Sequence, residues 1–217
     1  MRHFRAAATA LGLSVLMALP ASAQRLGGGM MGGGPAAILS NKGVHKELKL
    51  DDSQVSKATV LADEMRAKQR EAMQGFQDLS SEERIEKGAE LTRKMNADVD
   101  KGLADIFKAD QTKRYKQIRL QVGGPGAFAI PEVASAIKLT DDQKAKIKDI
   151  LTSQEGEMRE IFQSAQDDRE GAMKKMTELR KGSKDKIIAL MTADQKKSWE
   201  TLVGEPFEYV PTPPPAR

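Results

Sequence analysis

The sequence predicts an all-α fold: two tandem repeats, each a long antiparallel helical hairpin followed by a short third helix. Three observations predict it. A helix-opening phrase recurs as Leu50-Asp51-Asp52-Ser53-Gln54, Leu139-Thr140-Asp141-Asp142-Gln143 and Met191-Thr192-Ala193-Asp194-Gln195, with a degraded copy at Phe107-Lys108-Ala109-Asp110-Gln111. The first copy aligns with Leu139 to Gln143 at an offset of 89, and the degraded copy with Met191 to Gln195 at an offset of 84. Between these phrases apolar residues recur every three or four positions. The 30% charged and 4% aromatic content, with a mean hydropathy of −0.51, favours long solvated helices over a thick core.

Residues 1–23 read as a secretory signal peptide: Arg2 and Arg5 give a positive start, Ala6 to Leu19 are largely apolar, and Ala21-Ser22-Ala23 is an A-x-A cleavage site. The apolar stretch is too short for a comfortable membrane span, so no stable membrane insertion is expected. Removing this segment takes away two arginines and no acid. The formal net charge falls from +4 to +2, which leaves no basis for a nucleic-acid partner. With no cysteine in the chain, packing alone must hold the fold. The glycine-rich span 24–43, with Gly27-Gly28-Gly29-Met30-Met31-Gly32-Gly33-Gly34-Pro35, reads as a flexible tether.

Repeat 1 spans 44–122. It opens with a capping box at Asp51 and Gln54, in which the cap side chain accepts an orphan N–H of the first turn and the glutamine reaches back to the cap's own N–H. One stripe then runs through Val55, Ala58, Ala62, Met65, Ala72, Met73 and Phe76. Ser80 and Glu83 signal a turn and a new start, and a second stripe runs from Ile85 through Met95, Val99 and Leu103 to Ile106. A short helix carries Tyr115 and Ile118. Residues 123–132, rich in glycine and proline, read as a linker.

Repeat 2 spans 133–204 and begins at the same kind of box, Thr140 with Gln143. Its stripes run through Ile147, Ile150, Leu151, Met158, Ile161 and Phe162, then Met173, Met176, Leu179, Ile187 and Leu190. Thr192 and Gln195 open the last helix, with Trp199 and Leu202. The proline-rich span 205–217 reads as a disordered tail. Pairs such as Glu64 with Lys68, Glu90 with Lys94 and Asp142 with Lys146 support the outward faces by about 0.2–0.5 kcal/mol each.

The chain lacks the groups an enzyme needs, and a non-enzyme without cofactor or metal is expected. His45 is the one histidine after the signal segment, and no phosphate loop, Rossmann fingerprint or G-x-S-x-G occurs. Met30-Met31 offers only a weak Cu(I) site. The other methionines fall on the stripes, and as adaptable side chains some of them suit an exposed binding face. Met65, Met73, Phe76, Met158, Phe162 and Met176, near the turn ends of the hairpins, are the candidate client-binding residues.

An exported helical chain with these helix starts resembles the LTxxQ-motif family of periplasmic stress proteins, the Spy and CpxP group. The match is full at Leu139, Thr140 and Gln143; Met191 replaces the leucine before Thr192 and Gln195, and Asp51 replaces the threonine between Leu50 and Gln54. The resemblance covers roughly 45–204 and implies an all-α, periplasmic, ATP-independent chaperone. Members commonly form cradle-shaped dimers, so a homodimer is implied as possible. The expected partners are unfolded or partly folded envelope proteins, with an envelope adaptor or a stress-sensor-binding regulatory or structural protein as the alternative. The duplication and the lysine at position 108 depart from the family pattern.

Overall fold

The computed structural model describes residues 34–76, 79, 81–165 and 168–211. The signal segment, Met30-Met31, Ser80 and residues 212–217 of the tail lie outside them. Among the described residues all regular structure is helical. Two short helices, α1 (Pro35–Leu39) and α2 (Lys42–Glu47), precede α3 (Asp52–Gln74), α4 (Ser81–Leu103) and α5 (Ala109–Gly123). A 3-10 segment (Gly124–Ala129) leads into α6 (Pro131–Ala136), α7 (Asp141–Ser164), α8 (Arg169–Ala189) and α9 (Ala193–Val203).

The helix starts follow from their capping residues. The Asp51 side chain accepts from Gln54 N at 2.8 Å and Gln54 Oε1 accepts from Asp51 N at 3.2 Å, a complete capping box. Thr140 with Gln143 and Thr192 with Gln195 close the same box. At Lys108 the ammonium cannot accept an N–H, and only the glutamine half survives: Gln111 Oε1 accepts from Lys108 N at 2.9 Å. Ahead of two of the boxes the chain leaves a short helix through a lysine in the left-handed region, Lys49 at φ 50° and Lys138 at φ 53°. The N–H of the next residue then reaches back to the short helix, Leu50 N to His45 O at 3.0 Å and Leu139 N to Ala134 O at 2.9 Å.

Two hydrophobic cores result. The first gathers Ile38 and Leu39 from α1, Val44, Ala58, Ala62 and Met65, then Met95, Val99 and Leu103, closed by Phe107, Tyr115 and Ile118. Phe107 and Tyr115 meet edge to face with centroids 5.8 Å apart. The second gathers Phe128, Val133, Ile137, Leu139, Ile147, Ile187, Met191 and Trp199, with the Phe128 and Trp199 rings 4.1 Å apart. Helix α5 is a wall of both: Tyr115 and Ile118 face the first core, Leu120 the second. Arg180 of α8 donates to Val122 O at 2.8 Å, placing a cation on the carbonyl end of α5.

Three boundaries read from composition are corrected. The span 24–43 is not tether throughout, because Pro35 starts α1 and Ile38 and Leu39 are fully buried against α3 and α4. The span 123–132 is not a bare linker: its 3-10 turn puts Phe128 into the second core. The span 205–217 is ordered at its start, where Phe207 and Tyr209 pack on the first core and Asn41 Nδ2 donates to Val210 O at 2.8 Å. In each case a few apolar residues inside a glycine- or proline-rich stretch found a face left uncovered by the long helices.

Candidate functional site

The box glutamines are joined in pairs. Gln54 Nε2 donates to Gln111 Oε1 at 2.8 Å and Gln111 Nε2 returns to Gln54 Oε1 at 3.2 Å. Gln54 also donates to Ile106 O and Gln111 to Leu48 O, at 2.8 and 3.0 Å. Gln143 and Gln195 repeat this, exchanging two 2.8 Å bonds while holding Leu190 O and Lys138 O. Each clasp therefore ties the start of a long helix to the start of the helix that closes its core. Gln111 and Gln195 are buried, so all their donors and acceptors must be met from within. This tertiary role of the motif was missed in the sequence. Its signal was the degraded copy, which lost the cap residue and kept Gln111.

The candidate client-binding residues divide. Met65 and Met176 are buried, at 1% and 7% exposure, and belong to the packing; they are corrected to core residues. Met73 is 55% exposed, and Phe76, Met158 and Phe162 are half-buried. Met173, read from the sequence as a stripe residue, is 53% exposed. Helix α7 buries only Ile147 and leaves Ile150, Leu151, Met158, Ile161 and Phe162 half-covered, with α8 and the 3-10 segment packed against it. Gln154, at the centre of that stripe, keeps a buried Oε1 without a hydrogen-bond partner among the described residues.

The surrounding charge is paired and solvated. Glu90 with Lys94 and Asp142 with Lys146 form the helical pairs expected, at 2.7 and 2.8 Å. Lys68 instead crosses from α3 to Asp98 of α4 at 2.6 Å. Exposed pairs of this kind add little to stability. More enclosed are Arg119 with Asp100, which ties α5 to α4, and Arg114 with Glu47, which ties α5 to α2. His45 sits against Leu39 O through its Nε2 at 2.5 Å, finishing the end of α1.

Among the described residues no group of three or more His, Cys, Asp or Glu could hold a metal, and no helix is long and apolar enough to cross a membrane. A groove of about 500 Å³ between α5, α6 and α9 presents Lys113, Lys116 and the hydroxyls of Ser198 and Thr201 around Leu120 and Leu202, with no imidazole or carboxylate in its lining. The arrangement can bury apolar segments; it offers no paired acid and base. No family model, curated protein or solved structure matches the chain.

Proposed function

We propose that the protein is an exported, periplasmic, ATP-independent chaperone-like binding protein that shields apolar segments of unfolded envelope clients. The observation that carries this reading is the set of adaptable apolar side chains left exposed or half-buried on and just beyond the long helices: Met73 and Met173 exposed, Phe76, Met158 and Phe162 half-buried. In this reading the chain is two copies of one helical unit, each a hairpin with a closing helix. Support comes from the two clasps and from Lys49 and Lys138, which recur at matching positions. The LTxxQ-like phrases and the signal-like first 23 residues support the compartment and the family likeness.

The test is aggregation of several unrelated clients, with the natural chain and with Met73, Met158, Phe162 and Met173 replaced by Ser. Suppression by the natural chain, lost in the variant while helix content and melting midpoint hold, is the expected result. A chain that protects no client but recovers one envelope protein in a pull-down would make it an adaptor instead. Half-buried residues that were core would cost about 2–5 kcal/mol on truncation and destroy cooperativity. Loss of fold with loss of protection would remove the surface from the argument.

A further inference from the structure

The C-terminal segment lies on the first core as a peptide lies in a groove. Gly204, at φ 63°, turns the chain out of α9 and sends it across α5. Gln121 then holds the end of α9 and one edge of the tail: its Nε2 donates to Val203 O and Glu205 O, and its Oε1 accepts from Phe207 N, all at 2.8 Å. Arg114 donates to Glu205 O at 2.8 Å, and Asn41, whose Oδ1 caps α2, donates to Val210 O at 2.8 Å. Phe207 and Tyr209 point to the core, and Glu208 and Val210 point to solvent, the alternation of an extended strand.

The bonds to Glu205 O, Phe207 N and Val210 O all go to tail backbone, so the groove selects extended chain and two inward aromatics rather than one sequence. The Tyr209 hydroxyl adds a bond with Asn41. The tail supplies none of the fully buried residues of this core. Ile38, Leu39, Met65, Leu103, Tyr115 and Ile118 all come from helices whose backbone ladders do not involve it. Lifting the segment would uncover apolar surface without dismantling a helix.

We propose that this groove, across α5 and the start of α2, binds an extended segment of another polypeptide with aromatic residues at alternate positions, and that residues 205–210 are its tethered competitor. The site is separate from the surface on the long helices and does not depend on its reading. Tethering gives the tail an effective concentration of about millimolar, so a free segment competes poorly until the tail is displaced.

The test uses the full chain carrying Phe207→Ala and Tyr209→Ala, and a fluorescent peptide with the sequence of residues 204–211. The expected result is that the variant keeps its helix content and cooperative melt and binds the peptide at least about ten-fold more tightly than the natural chain does. A peptide with both aromatics changed to Ala should bind neither protein. Adding Gln121→Ala to the variant should weaken its binding of the peptide, and unchanged binding would overturn the proposal. Equal binding by variant and natural chain, or equal binding of the Ala peptide, overturns the proposal. So does loss of cooperative unfolding in the variant, which would make the tail an integral part of the core.

Discussion

Glutamine at the third position of a helix is an ordinary capping residue, worth little on its own; here its amide has four tasks, and the two ends of the side chain are both committed. Gln195 takes the backbone N–H of Thr192, donates to Lys138 O and exchanges two bonds with Gln143. Removing one member leaves buried amide and carbonyl groups without partners, and that desolvation is costlier than the net value of a bond. In urea unfolding, Gln143→Ala and Gln195→Ala should each cost about 1–3 kcal/mol. The double variant should fall short of their sum by about 0.5–3 kcal/mol. Strict additivity would mean that the clasp bonds carry no coupling. Lys49 and Lys138 show a different limit at the same scale. Glycine is the usual residue at a left-handed helix end, and no sequence rule singled out these lysines.

At the scale of elements, the stripes placed the four long helices α3, α4, α7 and α8 within a few residues, because a period of 3.6 over more than twenty positions is a strong signal. The apolar spacing predicts stripes that run from Ile85 to Ile106 and from Met173 to Leu190. The helices stop at Leu103 and Ala189, where the chain must turn to present Ile106 O and Leu190 O to the glutamines. The helical glycines also differ in ways their spacing could not show. A Cβ at Gly156 meets nothing within 4 Å, whereas one at Gly102 would lie 2.8 Å from Leu61 Cδ2. Gly156→Ala should therefore stabilise α7 by about 1 kcal/mol. Gly102→Ala should gain less or destabilise, since Leu61 must move between α3 and α4. Equal shifts of the denaturation midpoint would argue against close approach at Gly102.

At the scale of the whole molecule, α5 joins two cores, and the hydroxyl of its buried Tyr115 donates to Pro35 O at 3.3 Å. Burial pushes Tyr115 well above the ordinary tyrosine range, and burial also pushes Tyr209 up against an opposing bond with Asn41. An unfolded tyrosine titrates near pH ~10, so above that pH the folded chain holds more protons than the unfolded one. The stability is fully present below about pH 10 and is lost as pH rises beyond it. Unfolding midpoints should hold to about pH 9 and then fall, and Tyr115→Phe should flatten the fall. An unchanged alkaline slope in that variant would assign the loss to other groups.

By itself the sequence determined the all-α class, the places where the long helices begin and most of the residues that face inward, because periodicity and capping are local and act within one turn or one face. It also placed the apolar side chains on stripes, but did not show which of them remain open: Met65 and Met173 sit on stripes alike, yet one is buried and the other exposed. Only the tertiary structure decided that. Whether a stripe is covered depends on a third element arriving over it, and α1, the 3-10 turn and the Phe207–Tyr209 segment come from stretches whose composition reads as tether, linker and disordered tail. The same holds for the glutamine clasps, which join residues 57 and 52 positions apart. A local pattern can place each amide at a helix start, but only the packed cores bring the two starts within hydrogen-bond distance.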